Sequence, residues 1–163
     1  MKIRITAIVA TLSLALSACN PSVSNTTGSS ETQRLSLGQS VDIAAVGARI
    51  SALRAGQGLV RPLGHSAALQ AAAQAHADDM ARTGEFSHRG TNGSTVSSRL
   101  RSAGYNACFN AENIAYGQTR IAQVFQDWMS SPGHRRSILA AEATQFGFAR
   151  NGTYSVLLLG RSC

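Results

Sequence analysis

The spacing of apolar and polar positions divides the chain into a short apolar leader, a polar stretch and a longer region of mixed periodicity. After Met1-Lys2-Ile3-Arg4 an apolar run extends from Ile5 to Leu16, too short to span a bilayer as a mature helix. From Pro21 to about Gln39 large apolar residues are few and Ser, Thr and Asn dominate, the composition of a solvated tether. Val41, Ala45, Ala48, Ile50 and Leu53 then follow a helical period, with Ser40 as the predicted N-cap and Gly56 and Gly58 as the stop. A second helix is predicted from about Ser66 to Thr83, where Leu69, Ala73, His76 and Met80 share one stripe. That stripe turns His76 toward the core as a hydrogen-bonded structural histidine. A third helix is predicted over Ser94 to Ala103, and a fourth carries Gln123, Val124 and Trp128 up to Pro132 and Gly133. Strands are predicted near Cys108 to Tyr116, Thr144 to Arg150 and Tyr154 to Leu159. In the first, Glu112, Ile114 and Tyr116 share one face and Asn113 takes the other, so the carboxylate should be half buried and in need of a partner.

The basic start and apolar run read as a secretion signal over residues 1–18, closing on Leu16-Ser17-Ala18-Cys19. That ending resembles the lipobox of bacterial lipoproteins, in which cleavage precedes the cysteine and Cys19 is acylated; an ordinary signal peptide with a chance cysteine is the alternative. Several acyl chains on one residue would hold the protein to a membrane. Asn20 is not the aspartate that resembles an inner-membrane retention signal, so the outer membrane is the expected address in a Gram-negative source. Residues 19–39 are then a tether and residues 40–163 one domain, with no internal repeat.

Export changes the reading of charge and cysteines. Loss of Lys2 and Arg4 with the leader takes the formal charge from +7 to +5, and every remaining cationic side chain is an arginine. Such a balance favours anionic lipid or lipopolysaccharide surfaces, while no basic run with interleaved aromatics marks a specific nucleic-acid site. With Cys19 acylated, Cys108 and Cys163 remain, and in an oxidising compartment they are most simply a disulfide closing a loop of about 55 residues. A reactive thiol at Cys108 is the competing reading, although no histidine stands near it in sequence.

Candidate chemistry lies in the histidines. Pro132 and Gly133 can open a new helix with His134 near its N-terminus, where imidazolium is disfavoured and the neutral ring can accept a proton or bind a metal. His88, in Phe86-Ser87-His88-Arg89-Gly90, sits in a loop from which it can reach into a cleft. There is no Gly-X-Ser-X-Gly elbow, no catalytic cysteine context, no Gly-rich phosphate loop and no metalloprotease helix motif.

His76 through Met80, Phe86-Ser87-His88, Gly104-Tyr105, Glu112-Asn113-Ile114-Ala115, Trp128 through Leu139, Phe146-Gly147-Phe148 and Tyr154 through Gly160, in this order, resemble the bacterial branch of the CAP superfamily. The name joins cysteine-rich secretory proteins, antigen 5 and pathogenesis-related 1, also called SCP-like extracellular domains. The resemblance implies an α+β fold, a three-layer α-β-α sandwich with a small, mostly antiparallel sheet, and a cleft lined by two histidines and one or two glutamates. His88 matches the first histidine, Glu112 the first glutamate and His134 the second histidine, while the second glutamate of the animal proteins falls at Ser131.

Two imidazoles and a carboxylate could hold zinc, with His88 and His134 as ligands, or activate water, with Glu112 and His134 as the catalytic pair. Without the second carboxylate a separate general base is lacking. The leading expectation is therefore a lipid-anchored envelope module that binds a lipid, polysaccharide or protein ligand. A metal-assisted, peptidase-like hydrolase using the same cleft is the alternative. The oligomeric state stays open.

Overall fold

The computed structural model describes residues 41–163. The expected signal peptide over 1–18, the Cys19 acylation site, the tether over 19–39 and the Ser40 cap lie outside them. Within the described residues the N-cap of the first helix is Asp42, whose carboxylate accepts the Ala45 amide at 3.0 Å. An ionised side chain at this point satisfies an orphan N–H and complements the helix dipole.

Helix α1 covers Ile43–Ala55, and β1 is the two-residue strand Gly64–His65. Helix α2, Ala67–Thr83, starts at the expected Ser66, whose hydroxyl accepts the Leu69 amide, and stops at Gly84 in the left-handed region. Helix α3 is Val96–Ser102, opened by a capping box between Thr95 and Ser98. Then come β2 (Ala107–Tyr116), α4 (Ile121–Ser130), α5 (Pro132–Ile138), β3 (Gln145–Asn151) and β4 (Tyr154–Ser162). Pro132 both ends one helix and begins the next, because its fixed φ and missing N–H suit a first helical position.

The sheet runs β1-β3-β4-β2. β4 pairs antiparallel with β2 and β3, and β1 pairs parallel with β3. The short β1 carries no period-2 signal, so only its docking on β3 defines it as a strand. β4 is central and buried on both sides, with successive leucines going to opposite cores. Leu157 and Leu159 join Val46, Ile50, Phe125, Trp128 and Phe148 beneath α1, α4 and α5, whereas Val156 and Leu158 join Leu69, Met80, Leu100 and Ile114 beneath α2 and α3. Each fully buried leucine contributes about 1.5–3 kcal/mol, so removing any one opens a core on one side only. This is the expected three-layer α-β-α sandwich of an α+β protein.

Two contacts set how closely the layers approach. A Cβ on Gly147 of β3 would run into the backbone of Leu69 and Gln70, so α2 lies directly on the strand there. Arg54, 3% exposed, donates to the carbonyls of Ile138 and Ala140 at 2.8 Å, tying α1 to the C-terminal end of α5. The Cys108–Cys163 disulfide joins the start of β2 to the chain end, which bears out the cysteine arithmetic.

Candidate functional site

β2 is an edge strand, and its residues Glu112 and Asn113 engage His88 and the His134 backbone. Trp128 of α4 donates its indole N–H to the Ile114 carbonyl at 2.9 Å, fixing α4 against that edge. Alternation along β2 then sends Glu112 toward α2 and α3, and Asn113 toward α5.

The Glu112 side chain is buried to 2% exposure, deeper than the half burial expected. Its Oε2 accepts from Arg99 Nη2 of α3 at 2.7 Å, and its Oε1 accepts from His88 Nδ1 at 2.8 Å. Arg99, 7% exposed, also donates to the carbonyls of Ser94 and His88, each at 3.2 Å. A charge-assisted pair of this geometry compensates a carboxylate that burial alone would not permit. His76 stands behind, with its Nε2 3.9 Å from Glu112 Oε1. That nitrogen donates to the Ser87 carbonyl at 2.8 Å, so His76 pins the loop that carries His88. Burial holds the His76 pKa below the ordinary histidine value; Glu112 opposes this, Arg99 reinforces it, and Ser87 and Asp79 oppose it more weakly. His76 is the buried, hydrogen-bonded histidine expected from its stripe.

The His88 side chain is 56% exposed. Since a carboxylate can only accept, Nδ1 carries the hydrogen toward Glu112, and Nε2 is the ring nitrogen left outside that bond. His134 is the third residue of α5, and its carbonyl accepts from the Asn113 amide at 3.0 Å. Burial, and then the charge of His88, lower its pKa. The structure thus joins His88 to Glu112 directly and links His134 to the next strand residue through backbone, while its Nδ1 is buried with no hydrogen-bond partner. His65 is elsewhere, edge-on to Phe146. A cavity of about 560 Å³ between α2 and α3 touches His76 and Arg99 from behind but not His88 or His134, so it is not a pocket that those two share.

Both Glu112 oxygens are engaged, Oε2 by the Arg99 guanidinium and Oε1 by His88 Nδ1, so Glu112 stands behind His88 as its orienting partner and not as a third ligand beside His88 and His134. Among the described residues no three His, Cys, Asp or Glu side chains stand as a ligand set. With one bond on each oxygen and a side chain only 2% exposed, Glu112 is placed to orient His88.

Arg99 is the residue sequence reasoning missed. A signal was present, since Arg99 lies three positions after Val96 and beside Leu100, on the stripe that α3 turns inward. The role of Asn113 in holding the His134 backbone had no comparable local sign.

The profile of the CAP family, described as the cysteine-rich secretory protein family, matches residues 48–156. The Bacillus subtilis (strain 168) protein YkwD is 34% identical over 97 residues, which cover 60% of this chain and 37% of YkwD. The chain thus spans well under half the length of that relative. An extracellular SCP-domain protein of Bacillus anthracis superposes with TM-score 0.70 at 23% identity, covering 73% of this chain and 40% of that one. An outer surface protein of Borrelia burgdorferi gives TM-score 0.67 at 20% identity, over 80% of this chain and 98% of its own. These two likenesses show the fold.

Proposed function

The chain belongs to the CAP, or cysteine-rich secretory protein, family, and from that premise we propose that it is a lipid-anchored binding module of the cell envelope whose cleft is organised by His88, Glu112 and His134. The observation that carries this reading is the double engagement of Glu112. Its two oxygens hold Arg99 and His88, so the carboxylate acts as a buried brace and His88 as the presented group. A brace of this kind fixes a ring for recognition, which rewards a preorganised donor or acceptor. Hydrolysis would need an uncommitted base and an activated water, and the committed Glu112 weighs against it.

Envelope placement is supported by the lipobox-like Leu16-Ser17-Ala18-Cys19 and by relatives whose descriptions are extracellular or outer surface. No helix among the described residues is long and apolar enough to cross a membrane, so in this reading attachment falls to Cys19.

Co-sedimentation of Cys19→Ser protein with added purified envelopes tests the cleft apart from the anchor. Saturable binding that His88→Ala weakens, at a temperature where circular dichroism shows the variant still folded, is expected. Binding indifferent to His88→Ala and His134→Ala would overturn the assignment. Zinc-dependent cleavage of a casein substrate, lost in Glu112→Gln, would instead favour the hydrolase.

A further inference from the structure

An exposed aromatic strip continues from the His88 loop to the end of the β2–β4 pair. Phe86 and Tyr116 are 50% and 55% exposed. Their ring centroids are 6.1 Å apart with the planes tilted by 39°, and Tyr116 lies 4.6 Å from Tyr154 at 32°. Tyr116 and Tyr154 are direct cross-strand partners at the end of the β2–β4 pair. Phe86 precedes His88 by two residues on the loop that His76 pins at Ser87. Tyr116 falls on the Glu112 face of β2, about 13 Å further along at ~3.3 Å per residue. The imidazole end and the aromatic end are therefore two parts of one row along the sheet edge.

Such a row in water points to something that covers it. Among the described residues the other exposed large hydrophobic is Val60, in the loop between α1 and β1. Three rings alone do not make the apolar centre of a protein interface, which takes about 800 Å² per partner. An acyl chain calls for an enclosed aliphatic lining, whereas this strip is open and two of its rings carry hydroxyls. A pyranose with equatorial substituents fits both features. The axial C–H bonds of its flat face lie against aromatic rings, and the polar groups at its rim meet hydrogen-bonding side chains. His88 and Arg89, both exposed on the loop that follows Phe86, are the polar side chains available for this. Two such groups suit a hydroxyl, an acetamido oxygen or a carboxylate, and are too few for a heavily phosphorylated glycan.

We propose that Phe86, Tyr116 and Tyr154 form a stacking subsite for a β-linked N-acetylhexosamine strand of the cell-wall type, with His88 and Arg89 on its polar rim. The inference rests on the binding-module reading of the cleft and names its ligand class.

Calorimetric titration of the full chain in detergent with chitotetraose, a β-1,4-linked N-acetylglucosamine tetramer, tests it. Saturable binding is expected. Phe86→Ala and Tyr116→Ala should each raise Kd about tenfold, as loss of one stacked ring does elsewhere. Tyr116→Phe should keep most of the affinity, and Val60→Ala should match wild type. These side chains are exposed, so equal melting temperatures will separate a lost contact from a lost fold. No saturable binding, or binding unaffected by Phe86→Ala and Tyr116→Ala, overturns the subsite. If the tetramer fails to bind while envelopes still bind in a His88-dependent way, the subsite falls and the cleft reading stands. If neither binds, both fall.

Discussion

Glu112→Ala removes the one anion that holds Arg99 and His88 together, and its cost can be worked from the geometry. The variant leaves a guanidinium that is 7% exposed without its 2.7 Å partner, and an imidazole without its 2.8 Å acceptor. Removing one member of a buried ion pair costs about 3–5 kcal/mol, most of it from the stranded charge. Arg99 keeps the Ser94 and His88 carbonyls, and the pair sits at a sheet edge that water can approach, so the lower end, about 3 kcal/mol, is expected. Each kcal/mol shifts Tm by roughly 4 °C for a domain of this size, giving a fall of about 12 °C by circular dichroism. Arg99→Met should cost a similar amount, because it strands the carboxylate instead. The double variant leaves neither charge buried, so it should cost about 2 kcal/mol less than the sum of the singles. A shift of about 2 °C or less for Glu112→Ala, or strict additivity in the cycle, would show that Glu112 is not the brace described here.

Reducing the Cys108–Cys163 bond, which closes 55 residues, should lower stability by about 4 kcal/mol on the chain-entropy model, read as Tm with and without reductant. Two alkylated thiols on the folded, unreduced protein would contradict the bond. The folded pKa values of His76 and His134 lie below that of a free histidine, chiefly through burial. The unfolded chain therefore holds more protons over that window, so stability is full above about pH 6.5 and declines as pH falls toward the folded values. Urea unfolding against pH should show this loss on acidification, and His76→Gln should flatten it; an unchanged profile would exclude His76 as a source. Gly147→Ala forces a methyl into the Leu69–Gln70 backbone and should cost about 2–3 kcal/mol in the urea midpoint, where a neutral result would mean that α2 can retreat. Cys19→Ser should move the protein from the detergent phase to the aqueous phase or leave it uncleaved, and equal partitioning of both forms would remove the anchor.

What could be read along the chain was whatever local periodicity and punctuation control. The Leu69–Met80 stripe, Ser66 and Gly84 at the ends of α2, Pro132 at the α4–α5 junction and the alternation through Glu112 and Ile114 each act within a few residues, so they are visible in order. They also placed the buried His76. The partners of Glu112 are another matter. Arg99 and His88 lie 13 and 24 residues away, on a helix and a loop, and reach the carboxylate only because α3 packs on the sheet and His76 holds Ser87. β1 becomes a strand only by docking on β3, and the aromatic row exists only because β2 and β4 are in a register that sets Tyr116 against Tyr154. Local sequence determines which face a side chain takes, because backbone periodicity fixes that; which group waits opposite is decided by packing between elements distant in sequence, and that step turned a glutamate expected in a cleft into a buried brace with no oxygen to spare.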